Sequence, residues 1–459
     1  MNSKKIAENI WIRHPRACWT GNEGNADNGI VIGEGRIMEL VTEGAEPTVD
    51  YDRIFDASNH VLLPGLINTH HHFYQTLTRA LPRALNKKLF PWLGSLYPVW
   101  ANLDDDAIYA ATQLSIAELL LSGCTTTADH HYVFSSAIPH AIDVQAQAAS
   151  KMGARVTLTR GSMSLGESSG GAPPDRIVES EATILSEGAR LIREYHDSTP
   201  ESHCCIALAP CSPFSVTPEL MQETAASAKE HDVLLHTHLG VTEDENAFCL
   251  SRYNKRPLDY LGDVGWLNDR VWLAHGIHFT DEEIARLAKA GTSVCHCPTS
   301  NMLLASGHFR ANDMQRAGVC AGLGVDGSAS NDGSNMIQEA RQAMLLQKLH
   351  YGADQFTHLS ALHMATRGGA ELLKRPELGQ LRVGNQADLA LFSLNEPRFS
   401  GYTDPIAALL LCGAHQADYV MVGGQWRVRE GALVDNDISE IMSRHHTAAR
   451  RVVQQCLQC

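Results

Sequence analysis

Four apolar runs in the second half of this chain each finish on or beside a histidine or an aspartate: Val233 to His238, Val271 to His275, Ser293 to Cys297 and Ala321 to Asp326. Helical patterns lie between and around them. Thr280-Asp281-Glu282-Glu283 forms a capping box ahead of a helix that Gly291 ends, and Asn335 through Tyr351 predicts another. Earlier, Asp104 through Leu121 is acidic at its start, apolar at helical spacing and stopped by Gly123. Short strands alternating with longer helices predict βα units on a parallel sheet. Polar chemistry at successive strand ends narrows the α/β class to a (β/α)₈ TIM-type barrel, whose sites form where strands run into βα loops.

A barrel of this kind takes roughly 250 residues, and this chain has 459, of which 44% are hydrophobic. The surplus lies at both ends. Gly29–Gly33 and Arg36–Leu40 near the start, and Asp388–Phe392 and Asp418–Gly424 near the end, are short and strand-like. They predict a second, small, β-sandwich-like domain assembled from residues 1–63 and 376–459, the latter with a tail, around a catalytic barrel at 64–375.

Composition excludes several functions. A net charge of -15 argues against a partner recognised through its phosphate backbone, so no nucleic acid is expected. No run of about 20 apolar residues exists to cross a membrane, and the first residues carry charge without an apolar leader core. Twelve cysteines without such a leader read as reduced thiols, which predicts a cytoplasmic protein. Cys456 and Cys459 have C-x-x-C spacing, but no second pair stands near them. Cys295 and Cys297 flank His296 on an apolar strand and are expected as packed thiols on the opposite face.

The run Pro64-Gly65-Leu66-Ile67-Asn68-Thr69-His70-His71-His72 presents His70 and His72 on one face of a strand end and turns His71 the other way. A strand-end H-x-H is weak alone. With His238, His275 and Asp326 at later strand ends, it becomes a set facing one barrel mouth. Neutral imidazoles and one carboxylate suit Zn²⁺ with a position left open for water, which makes His70, His72, His238 and Asp326 the candidate ligands.

The histidine run at 70–72 and four later motifs resemble successive motifs of the amidohydrolase superfamily. The four are His236-Thr237-His238-Leu239, Leu273-Ala274-His275-Gly276-Ile277-His278, His296-Cys297-Pro298-Thr299-Ser300-Asn301 and Leu323-Gly324-Val325-Asp326-Gly327-Ser328. All occur in the family's order, and Gly379-Gln380-Leu381-Arg382-Val383-Gly384 matches its return into the small β domain. The branch is that of the mononuclear zinc aminohydrolases. The nearest likeness is to 8-oxoguanine deaminases, through His72-Phe73-Tyr74-Gln75, Ala209-Pro210-Cys211-Ser212-Pro213-Phe214 and Asp326-Gly327-Ser328-Ala329-Ser330-Asn331.

The resemblance implies one Zn²⁺ per subunit, with Fe²⁺ as the alternative, a small purine-like substrate and a homo-oligomer. It implies a hydrolytic deaminase of an oxidised purine, 8-oxoguanine going to urate and ammonia. Asp326 would hold the metal and accept the water proton, and His275 would orient the attacking oxygen. Gln75, Cys211 and His296 would meet the substrate. A glutamate that carries protons normally stands three residues after the metal histidine of the fifth strand; here that residue is Val241, which puts this chain's own turnover in question. Glu243, Asp244 and Glu245 are expected as the solvated first turn of the next helix. The stretch from Phe90 to Trp100 is expected as a loop closing the mouth.

Guanine and s-triazine aminohydrolases share this mechanism and remain alternatives, as does a non-catalytic purine-binding protein. Two-metal ring-opening hydrolases usually carry a bridging lysine at a strand end, whereas Lys151 and Lys229 fall in helical stretches. Nucleic-acid-editing zinc deaminases are excluded, because neither H-x-E nor P-C-x-x-C occurs.

Overall fold

The computed structural model describes residues 8–171 and 173–457, so Cys459 of the C-terminal pair lies outside the described residues. Eight strands close a parallel barrel in chain order: β1 (Leu66–Asn68), β2 (Cys124–His131), β3 (Arg155–Ser162), β4 (Cys204–Pro210), β5 (Leu235–Leu239), β6 (Val271–His275), β7 (Ser293–His296) and β8 (Ala321–Leu323). The pairing Leu323↔Asn68 joins β8 to β1 and completes the circle. The expected barrel is therefore present, and its four sequence-predicted strands fall within a few residues of their expected bounds.

The helical signals act as expected. Asp104 accepts a hydrogen bond from the Ala107 N–H and starts the helix Asp105–Leu121. Thr280 and Glu283 form the reciprocal cap of Asp281–Ala290, which ends at Gly291 with φ 74°. Asn335 caps Met336–Tyr351. The aromatic stretch departs from expectation: Leu89–Trp100 is a helix, not a loop. Its prolines suggest a break that does not occur. Pro91 falls in the first turn, where a missing N–H breaks no helical bond, and Trp92, Leu96 and Trp100 recur at helical spacing and are buried.

Two further sheets form a separate domain. One has four strands (Arg36–Val41, Gly29–Gly33, Ile10–Arg13, Arg53–Asp56) and the other six, with Leu389–Ser393 paired antiparallel to His60–Pro64 at its centre. Ile12, Ile30 and Ile32 from the first pack with Leu62, Leu389, Leu391 and Met421 from the second, so both chain ends share one apolar core. The sequence suggests only a tail at the C-terminus, whereas the structure has a long helix there, Ile438–Leu457, that packs on Asp105–Leu121.

Arg155, at the start of β3, ties this domain to the barrel. Its guanidinium meets the Asp388 carboxylate at 3.0 and 3.2 Å and also donates to the Ser202 carbonyl and Gln386 Oε1. Asp388 in turn accepts the Gly423 N–H at 2.8 Å. Both side chains are almost wholly buried. Removing one partner leaves the other charge stranded in low dielectric, which typically costs about 3–5 kcal/mol. Asp388→Ala should therefore lower the urea midpoint sharply, while Arg155→Met combined with Asp388→Leu should recover part of the loss. Equal midpoints for Asp388→Ala and the parent would show that the pair carries no such weight.

Candidate metal centre and active site

The strand ends bring the predicted residues to one mouth. His70 and His72 follow β1, His238 lies near the end of β5, His275 closes β6, and Asp326 follows β8. Nε2 of His70 and Nε2 of His72 each stand 3.3 Å from Asp326 Oδ1, and Nε2 of His238 stands 3.2 Å from that of His72. His275 Nε2 approaches the other carboxylate oxygen, Asp326 Oδ2, at 3.8 Å. His275 and Asp326 have φ of 75° and 61°, so both hold the left-handed conformation that costs non-glycine residues energy and clusters at functional sites.

The opposite ring nitrogens are fixed by the scaffold. His72 Nδ1 donates to the His130 carbonyl at 2.6 Å and His238 Nδ1 to the Cys211 carbonyl at 2.7 Å. His275 Nδ1 pairs with Asn301 Oδ1 at 2.9 Å, and His70 Nδ1 with His236 Nε2 at 2.8 Å. Carbonyl acceptors hold the proton on Nδ1 and turn the Nε2 lone pair inward, the arrangement in which histidines ligate metals. Nε2 of His70 is buried with no hydrogen-bond partner.

Electrostatics favour the same assignment. Burial holds His70 and His238 well below the usual histidine range, so both imidazoles stay neutral. Burial pushes Asp326 upward, but the close approach of His70 and His72 outweighs it and holds its carboxyl well below the usual range. Ser300 Oγ also donates to Asp326 Oδ2 at 2.6 Å. Neutral imidazoles around an ionised carboxylate form a donor set that fits a divalent cation.

A cavity opens onto these atoms. His72, His238, His275 and Asp326 form its floor, and Gln75, Cys211 and Val241 line its wall. Gln75 Oε1 takes the Ala329 N–H at 3.4 Å, while its Nε2 is buried and unpartnered. The loop after β8 has to be bare here, since a Cβ at Gly327 would stand 1.9 Å from Gln75 Oε1. His296 is absent from the lining. It stacks on Phe309 at 4.5 Å with both ring nitrogens buried and unpartnered. His71 also turns away, to Ser334 Oγ at 2.9 Å. Cys295 and Cys297 are buried with sulfurs 3.8 Å apart, as packed thiols.

Other lining residues either belong to the stretch expected to close the mouth or were not singled out in the sequence. Leu89, Trp92, Leu93 and Tyr97 come from the aromatic helix, which is pinned to the loop after β8 by Trp92 Nε1 donating to the Ala329 carbonyl at 3.0 Å. Tyr132 reaches the cavity two residues past His130. Period-two alternation at the end of β2 would have put His130 and Tyr132 on one face. His130 itself supports the site, stacking on His238 at 4.7 Å.

The chain matches the model of the amidohydrolase family over residues 61–427. It belongs to that family. It is 56% identical to an 8-oxoguanine deaminase of Pseudomonas aeruginosa, over 96% of this chain and 99% of that one. It is 37% identical to a hydroxydechloroatrazine ethylaminohydrolase of Pseudomonas sp. strain ADP, over 93% and 90% of the two chains. A zinc-complexed atrazine chlorohydrolase from Arthrobacter aurescens superposes with a TM-score of 0.89 at 31% identity, over 96% of this chain and all of that one. This chain is thus an amidohydrolase of the hydrolytic deaminase type with a candidate metal site, and no helix among the described residues is long and apolar enough to cross a membrane.

Glu245 corrects the expectation of a solvated first turn. Glu243 is exposed and pairs with His278 at 2.9 Å, but Glu245 is 1% exposed, and its Oε2 accepts the Val241 N–H at 2.9 Å. Burial raises its carboxyl to about 7, against the pull of the Val241 and Gly240 backbone. The folded carboxyl keeps its proton to a higher pH than an unfolded glutamate does, so stability falls as pH rises from about 4.5 to about 7. An upward displacement of that size corresponds to roughly 3 kcal/mol. Glu245→Gln should remove this slope, its stability gain over the parent growing across that window and levelling off above it. Parallel stability–pH profiles would mean that the carboxyl titrates normally.

Proposed function

We propose that this chain is a metal-dependent aminohydrolase of an oxidised purine, with 8-oxoguanine going to urate and ammonia as the reaction its site is built for. The observation that carries the reading is the convergence of three inward-turned Nε2 atoms on Asp326 at the floor of a cavity. The 56% identity to an 8-oxoguanine deaminase supports the substrate class. In this reading His70, His72, His238 and Asp326 hold one zinc ion per subunit, with Fe²⁺ as the alternative. The barrel spans residues 64–375, with the small domain on either side. The homo-oligomeric and cytoplasmic assignments rest on the family resemblance and on cysteine usage.

A bound divalent ion would supply the Lewis acidity that makes water a nucleophile near neutral pH. Asp326, held ionised, accepts the proton that water gives up. His275, fixed by Asn301, orients the attacking oxygen over the ring carbon that bears the amino group. The free N–H groups of Gln75 Nε2 meet a ring acceptor, and leaving them unpaired would cost about 1–3 kcal/mol. Cys211 leaves space and little charge along the adjoining ring edge. The aromatic helix covers the mouth and limits the entry of water. Val241 neither gives nor takes a proton, so the ring nitrogen and the leaving amine lack their usual carrier. A triazine substrate is the second reading, favoured by the 37% identity to a triazine ethylaminohydrolase.

Zinc-loaded protein and Val241→Glu should be assayed side by side for ammonia and urate release from 8-oxoguanine. Restoring a general acid–base group should raise turnover by about 10²–10⁴-fold. Metal analysis should find one ion per chain, and His238→Ala should lose it. Ammonia from a triazine but not from 8-oxoguanine would move the assignment to the second reading. Ammonia from neither, in both chains, would overturn the deaminase reading.

A further inference from the structure

We propose that Val241 makes this cavity select its substrates by leaving group: a ring whose substituent departs as a stable anion, a halide above all, is hydrolysed in preference to one that must lose ammonia. This rests on the reading above and concerns the same ring carbon. The ground is the scarcity of usable protons around that carbon. The Val241 side chain forms part of the cavity wall, and Asp326 is the only carboxylate among the described lining residues. No lysine or arginine lines it either.

The remaining proton-bearing groups are committed or too weakly acidic. Nδ1 of His72 and of His238 each donate to a backbone carbonyl, and Nδ1 of His275 pairs with Asn301. The Cys211 thiol and the phenols of Tyr97 and Tyr132 belong to classes far less acidic than a carboxyl, Ser212 Oγ pairs with Ser215 Oγ at 2.7 Å, and Ser330 Oγ lies 2.9 Å from Ser300 Oγ. Glu245 does not line the cavity, since its carboxylate turns back to the Val241 N–H, and Glu243 is exposed against His278.

The two reactions differ in what they require. For an amino substituent, the C–O bond forms and the C–N bond breaks, and the nitrogen must gain a proton because an amide anion is too basic to leave. For a halide, the C–O bond forms and the carbon–halogen bond breaks. The halide takes the electron pair, and the single proton released passes to Asp326 and then to solvent. Ring–X plus water gives hydroxylated ring, X⁻ and H⁺, and no donor is needed at the leaving atom. Val241, Leu89, Leu93, Trp92 and Leu304 make much of the lining apolar, which suits a halogen better than an amino group.

The test compares 8-oxoguanine with the analogue in which fluorine replaces its amino group; both give urate, with ammonia or fluoride as the second product. Each is assayed with zinc-loaded parent and with Val241→Glu, using chelated protein as the blank. The parent should release fluoride faster than ammonia by about 100-fold or more. The ammonia-to-fluoride ratio should then rise about 10²–10⁴-fold in Val241→Glu, the range set by one general acid–base group. Quenching of tryptophan fluorescence, to which Trp92 contributes from the cavity wall, should show that the parent binds both rings with Kd values within about tenfold, so that the selection lies in bond cleavage rather than in binding. An unchanged ratio between the two chains overturns the proposal. So does a parent that releases no fluoride while Val241→Glu deaminates 8-oxoguanine. If Val241→Glu releases neither product, the purine assignment fails first and this inference falls with it.

Discussion

The site depends on a set of hydrogen bonds that point away from it. Four imidazoles gather about one carboxylate at the barrel mouth, and each could turn its ring or shift its proton. Carbonyls of residues 130 and 211 and the amide of Asn301 hold Nδ1 of His72, His238 and His275. With those protons fixed, the Nε2 lone pairs face inward, and neutral rings can surround an ionised Asp326. The His130 carbonyl lies on β2, beside β1, and the Cys211 carbonyl directly follows β4, beside β5, so strand pairing places both, while Asn301 comes from the short helix Pro298–Leu303 after β7. His130, by its carbonyl and by stacking on His238, shows how a residue outside the ligand set determines its geometry.

Much of this was legible from spacing. Period two separates His70 and His72 from His71, and the structure places them accordingly. Strand runs that end on His or Asp pointed to the barrel and to the side on which its chemistry gathers. Spacing could not say how deep each side chain sits. His296 has a motif and a strand end much like those of His275, yet it stacks on Phe309 and stays out of the cavity lining. Parity along a strand fixes the face and leaves the layer open.

Two other departures share a cause. The stretch from Leu89 to Trp100 carries two prolines and reads as a loop until its Trp and Leu residues are counted at helical spacing. Glu245 follows two exposed acids and reads as solvated until tertiary packing closes over it. In both cases a local signal, proline or first-turn acidity, was overridden by burial that only the assembled barrel provides. The C-terminal helix Ile438–Leu457 is similar, since its partner surface on Asp105–Leu121 lies more than 300 residues earlier in the chain.

Glu245 also explains how a valine can occupy position 241 without disturbing the mouth. The loop after β5 is held through the backbone at residue 241, by the carboxylate of Glu245, and not through the side chain there. Gly240, with φ 67°, then turns the chain, and its carbonyl accepts the Ile277 N–H at 2.8 Å, tying the loop to the one after β6. The architecture of the loop and the chemistry of its side chain are therefore separable. A site in which they were coupled would change its geometry with any change of that side chain. Here the histidines around Asp326 keep their supporting hydrogen bonds beside an apolar wall, so in the reading proposed above Val241 bears on proton supply and leaves the geometry of the candidate metal site in place.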